Sequence, residues 1–340
     1  MNNVLNLFME LEIYAHERVG KYIMRNSYAT ADYMRVKRAE MACLRYEIET
    51  NFSDKLDRKD IVVLLQDAEK LNIKRINRLY NEPKFKAALN PLQTQIITST
   101  SLLLVNGLNT ITQTTALNAA HSLSYAMDRA FLMARTGLLT DTEAKHIIVK
   151  EFADAGIENY TYASGVTRSP FAVADMMIND YSNQASADVL HDKMQDIEAD
   201  LVQVIPRVNV SPDHADMNGK IFSLSGIDKK YPSFQEVCVN RLRPIHKYNC
   251  KCTEVAYFEF DKPDIEKIKA DPLVYEAEQK QRAIEREIRS AKKQAAALES
   301  IGGHDYELAK QKVKDKQKKM RNFFAESDVD LVREYSREKI

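Results

Sequence analysis

The chain has 340 residues and a formal net charge of zero, with 49 basic and 49 acidic residues. No global field therefore draws it onto nucleic acid or an anionic bilayer, and any such contact must come from a local patch. Charged residues at 29% and hydrophobic residues at 44% suit a globular protein, long enough for roughly two or three domains. Gly and Pro at nine each, with no Trp, argue against a turn-rich all-β architecture and for long helices.

The first twenty residues carry Glu10, Glu12 and Glu17 and no cleavage-site pattern, so no signal peptide is expected. The four cysteines, Cys43, Cys238, Cys250 and Cys252, are then expected as thiols of a chain made in a reducing cytoplasm. The most apolar window, Ile96 to Leu108, is too short and too rich in Ser and Thr to span a bilayer, and no membrane contact is expected.

Residues 1–90 read as a helical N-terminal region. Leu5, Phe8, Leu11 (or Glu12) and Ala15 recur at helical spacing, and a second helix starts from an N-cap at Asp57 or Asp60. Pro83 and Pro91 punctuate the next stretch. Residues 92–135 form a long helical pattern; His121 on it is read as an ordinary helix histidine rather than a ligand. Gly137 ends that helix, Thr140 and Glu143 form a capping box for the next, and Gly156 closes it. A short strand is expected over 157–165, then a helix with Pro170 in its first turn. Residues 201–210, 220–224 and 253–260 read as strands of a small β-unit around residues 200–260. The alternation of Val255, Tyr257 and Glu259 against Ala256, Phe258 and Phe260 suggests one face on a small core. The strands after Gly219 and after Cys252 are expected to share an edge.

From about residue 264 the composition changes. Ile284, Ile288, Ala291, Ala295 and Leu298 step by four and three, a coiled-coil seam. Gly302-Gly303 breaks it, and a second helix resumes with Leu308, Val313, Met320 and Phe324 apolar. The two should fold back as a C-terminal helical hairpin. Its core is thin, so it is expected to dock on another part of the chain or on a neighbouring subunit. Residues 310–321 hold seven Lys or Arg against one Asp. This run reads first as a solvated face, with Lys312, Lys314, Lys316, Lys318 and Lys319 as candidate contacts to DNA or a partner. The fold class is thus mainly α with a small α+β unit, divided at 1–90, 91–262 and 263–340.

The chemistry-bearing residues concentrate in the β-unit. His214, His246, Cys250 and Cys252 form a candidate zinc set, because thiolate sulfur and imidazole nitrogen are the usual structural zinc ligands. The Cys-x-Cys spacing and the distance in sequence to His214 favour instead two free thiols on one face of a strand, so both readings stand. His214 with Asp216, or with Cys250, would be an acid–base or nucleophile pair. No recognisable nucleophile motif, phosphate loop or zinc-protease helix surrounds them, and no enzymatic activity is expected.

Several segments share their order with a known family. These are Asn106 to Thr115; the run from Ala126 to Gly165; Phe171 to Gln184; Ser211 to Gly226 with Tyr231-Pro232; Asn249 to Cys252; and Tyr275 to Lys293. Together, over roughly residues 100–325, they resemble the minor capsid proteins of tailed bacteriophages, related to the Mu-type F head morphogenesis proteins. His214, Asp216, Gly219, Lys220, Tyr231 and Pro232 are the motif residues of that resemblance. Asp213 stands for Ser, Met217 for Trp and Asn218 for Gln in its Pro-Ser-His-Ala-x-Trp-Gln-Gly-Lys pattern. Asp175 stands where Arg is common. Ser211 and His214 occupy the two positions of a Cys-x2-Cys found in the Mu-type relatives, so a four-ligand metal site would need Asp213 or His246 as a substitute. The resemblance implies a structural head protein inside the virion near the portal. Its implied partners are the portal protein and the major capsid protein, with packaged DNA as a further candidate. The competing reading is a nucleic-acid-processing or host-modifying enzyme using His214 with Cys250 and Cys252.

Overall fold

The computed structural model describes residues 2–26, 32–57, 59–67, 89–135, 139–157, 159–162, 164–259, 268–333 and 335–338. The fold is mainly helical with two small sheets. The end of the long helix at Gly137 lies outside the described residues, as does the region of Pro83.

Helix α1 (Asn2–Arg25) buries Leu5, Phe8, Leu11 and Ala15 as its periodicity predicts, and continues the stripe with Val19 and Ile23. Helix α2 (Tyr33–Ser53) packs beside it. There Glu47 accepts hydrogen bonds from Tyr14 at 2.6 Å, Tyr22 at 2.9 Å and Arg18 at 2.9 Å. Asp57 is the cap of the following helical stretch, accepting the Lys59 amide at 2.8 Å. Helix α3 (Pro91–Arg135) opens with a reciprocal cap that the sequence reading passed over. Asn90 Oδ1 accepts the Gln93 amide at 2.8 Å, and Gln93 Oε1 accepts the Asn90 amide at 3.1 Å, with Pro91 at the first helical position where its missing N–H costs nothing. Helix α4 (Asp141–Ala155) has the Thr140–Glu143 capping box and ends at Gly156, whose φ of 74° only glycine adopts without strain.

The expected strand after Gly156 is reduced to a two-residue pairing, β1 (Tyr160–Thr161) with β2 (Thr167–Arg168). Helix α5 (Pro170–Asp196) comes next. The second sheet has β3 (Leu201–Val204), β4 (Ile221–Ser223) and β5 (Glu254–Ala256), antiparallel in the order β4-β3-β5. The expected shared edge between the strands after Gly219 and after Cys252 is therefore corrected: β3 separates them, with Val202 opposite both Phe222 and Ala256. Two buried valines on one face, Val202 and Val204, suit β3 to the central place. Of the expected strand over 253–260 only β5 forms; its Glu254, Val255 and Ala256 are all buried, the Glu254 carboxylate against His246 and His191, and Phe260 lies outside the described residues.

Helices α6 (Pro272–Leu298) and α7 (Gly303–Glu326) form the antiparallel hairpin. All five seam residues from Ile284 to Leu298 are buried, and Met320 packs on Ile284 and Ile288. Leu308 is 54% exposed and Val313 only half-buried, with Ala309 buried instead; the helix presents a smaller residue at that point.

The chain forms two compact units, each assembled from separated segments. One comprises Asp57–Gly107 and Asp175–Gln279. Its core gathers Val202, Val204, Phe222, Phe234 and Val255 from the sheet region with Leu190 and Met194 of α5. The other comprises Asn2–Leu56, Leu108–Ala174 and Lys280–Ile340. Within it the hairpin docks on α1. Glu12, 4% exposed at its side chain, pairs with Lys293 at 3.1 Å and accepts the Phe171 amide at 2.8 Å. Burial raises the Glu12 pKa, but the Lys293 charge and the Phe171 N–H outweigh it and leave the carboxyl below its usual value. His16 donates from Nδ1 to the Glu12 carbonyl at 2.6 Å and accepts the Ile157 amide on Nε2 at 3.2 Å. Burial, then the nearby Lys293 charge, pushes its pKa down to about 4.

Candidate metal centre

The turn after β3 is built around Asn218. Its Oδ1 accepts the Arg207 amide at 2.8 Å and its Nδ2 donates to the Arg207 carbonyl at 3.0 Å. Met217 is fully buried in the sheet core, so the position where the resemblance has Trp stays apolar. Gly219 sits at φ 74° and its carbonyl accepts from Gln203 at 3.0 Å. Lys220 is exposed, while its carbonyl accepts the Val204 amide at 3.0 Å. Asp216 pairs with Arg241 at 3.1 Å. Tyr231 donates to Glu259 at 2.7 Å, and the Pro232 carbonyl accepts the Ser223 amide at 3.0 Å. These five motif residues thus make turns, an ion pair and hydrogen bonds of the β-unit.

Pro212 opens a short 3-10 turn that buries His214. His214, Cys250 and Cys252 are all buried, and one ligand atom from each lies within 4.8 Å of the others. The Cys250 and Cys252 sulfurs are 3.4 and 3.6 Å from His214 Nδ1. The other ring nitrogen, Nε2, is 2.8 Å from the Arg243 carbonyl. A carbonyl only accepts, so Nε2 carries the proton and Nδ1 presents a lone pair to the two sulfurs in the neutral ring. The Cys252 amide donates to the Cys250 sulfur at 3.3 Å. The Cys252 side chain and backbone amides donate to the Cys250 sulfur and favour its thiolate, against the effect of burial; the same pairing holds Cys252 as a thiol.

His246, the fourth residue of the candidate zinc set, is not in the cluster. It sits at φ 65° in a turn with Tyr248 and Asn249, also at positive φ, and its Nε2 lies 2.8 Å from Glu254. His191 Nε2 of α5 lies 3.1 Å from the other Glu254 oxygen. Burial alone would neutralise Glu254 and His246, but their mutual attraction dominates: the carboxyl is held low and His246 is raised. Asp213, the other substitute, is half-buried and pairs with Arg243 at 3.1 Å.

One face of α5 positions the cysteine turn. Asp180 accepts the Tyr248 and Asn249 amides at 2.8 and 2.7 Å. Asn179 donates to the Asn249 side chain at 2.8 Å, and Asn183 donates to the Cys250 carbonyl at 2.7 Å. Burial raises the Asp180 pKa to about 6 against these bonds. Asn179, Asp180, Asn183 and His191 carry one signal in the sequence, polar side chains on one face of α5; Glu254 lies on β5 instead.

The basic run on α7 divides into two faces. Lys316 and Lys319 both reach Glu287 of α6 at 2.9 Å, and Lys312 donates to Gln294 at 2.6 Å. Lys314, Lys318 and Arg321 are exposed, spaced four and three apart on the other face.

The family model of phage minor capsid protein 2 matches residues 1–325. The chain belongs to this family. Searches of curated proteins and of solved structures return no match. As a phage minor capsid protein it is a structural component of the phage head and of the virion. Among its described residues no helix is long and apolar enough to cross a membrane.

Proposed function

We propose that this minor capsid protein acts at the portal–capsid junction during head morphogenesis, with the portal protein and the major capsid protein as its partners and packaged DNA as a further contact. The family match over residues 1–325 carries the head assignment. The DNA contact is supported by the outward stripe of Lys314, Lys318 and Arg321, which among the described residues makes no ion pair. Neutralising roughly three phosphates would give a log–log salt slope of about −3. The test is cross-linking mass spectrometry on intact particles, with the protein quantified in particles before and after genome release. Cross-links to portal and major capsid chains support the position. Cross-links confined to the outer shell or to tail proteins refute it, and a K314E/K318E/R321E variant whose DNA binding and salt slope match the parent refutes the DNA contact.

A further inference from the structure

We propose that His214, Cys250 and Cys252 hold one zinc ion through three protein ligands, with solvent completing the tetrahedron and His246 outside the set. The geometry carries this on two independent observations. The three donor atoms converge in a buried place, and the two groups around them are arranged as metal sites require. His214 gives its Nε2 proton to a backbone carbonyl, which fixes the tautomer and aims the Nδ1 lone pair at the sulfurs, the usual outer support of a metal-bound histidine. The Cys252 amide points at the Cys250 sulfur, a contact that stabilises thiolate over thiol.

Charge accounting points the same way. With both sulfurs bound as thiolates, their charges would repel each other across the buried site. A divalent cation balances both and leaves the neutral imidazole as third donor. Two sulfurs and one nitrogen suit zinc better than a hard oxygen-seeking cation such as magnesium or calcium. Binding releases the remaining thiol protons to solvent, and no redox step is involved. The bound ion joins the turn after Ser211 to the segment entering β5, two stretches that do not pair with each other in the sheet.

The test uses the full chain, purified under reducing conditions, exposed to zinc alone and passed over a desalting column before elemental analysis. About one zinc per chain is expected, with a higher melting temperature than the chelator-stripped protein. Cobalt(II) in place of zinc should give the intense visible bands of a tetrahedral site with sulfur ligands. C250S and H214N should each lose retained metal, whereas H246Q should keep it. Because a ligand variant can misfold, the cobalt spectrum of the unaltered chain is the deciding measurement. A spectrum without sulfur charge-transfer bands, retention in a C250S/C252S variant, or a Cys250–Cys252 disulfide that persists under reduction would each overturn the proposal.

Discussion

Replacing Glu12 tests how the hairpin is fastened to α1. The side chain is 4% exposed and its partner Lys293 is 20% exposed. Glu12→Gln keeps an acceptor for the Phe171 amide but removes the charge facing Lys293. Breaking a fully buried pair costs about 3–5 kcal/mol; because Lys293 still reaches water, about 2 kcal/mol is expected after allowing for screening. Glu12→Ala also strands the Phe171 N–H in the first turn of α5, adding about 1–3 kcal/mol, for a total of about 4 kcal/mol. Urea denaturation followed by circular dichroism gives the stability order parent, Gln, Ala. Hydrogen exchange supplies a local readout: the Phe171 amide should exchange faster in the Ala variant than in the Gln variant. Combining Glu12→Gln with Lys293→Met should recover most of the Gln loss, since the stranded charge is then gone. If both single variants stay within about 0.5 kcal/mol of the parent, the pair does not fasten these elements and the reasoning fails.

His16 sets a pH dependence of the same unit. Its folded pKa, about 4, lies below the ordinary 6.5, so the unfolded chain takes up the proton first. The stability it supports is complete above pH 6.5 and falls by about 3 kcal/mol as pH drops through the folded value; melting curves from neutral to acidic pH should show this, and an equal slope in His16→Gln would contradict it. Gly20→Ala places a Cβ against the Ala297 carbonyl of α6. The clash should cost about 1–3 kcal/mol, more than the roughly 1 kcal/mol that alanine gains over glycine in a helix, as read from denaturation midpoints; a stabilised variant would show that the helices yield. Asp180→Ala leaves the Tyr248 and Asn249 amides without their acceptor and should cost about 2 kcal/mol, with faster amide exchange confined to residues 246–250.

Local, periodic features were legible in the sequence. The α6 seam from Ile284 to Leu298 and the Thr140–Glu143 cap follow from residue spacing alone, and the structure has both. Leu308 is apolar, yet the helix that starts at Gly303 buries Ala309 instead. The strand order escaped because three- and four-residue strands carry no information about their neighbours; β3 takes the centre by pairing on both edges. In the site, residue type disclosed His214, Cys250 and Cys252, but nearness in sequence misled for His246. Four residues from Cys250, it is turned away by a left-handed backbone and claimed by Glu254. Asn179, Asp180 and Asn183 were hidden because a polar residue on a helix reads as solvated until the element it meets is known.

The interleaving of the two compact units has a consequence for synthesis. The unit that begins at Asn2 is not complete until the chain past Lys280 has been added, and Glu12 meets Lys293 across 281 residues. A nascent chain on the ribosome therefore holds α1 with one of its buried faces waiting for almost the whole of translation. Such long-range closure is slow, and a chain cut short before α6 has nothing to cover that face. A prematurely terminated product would be left sticky and open to proteolysis.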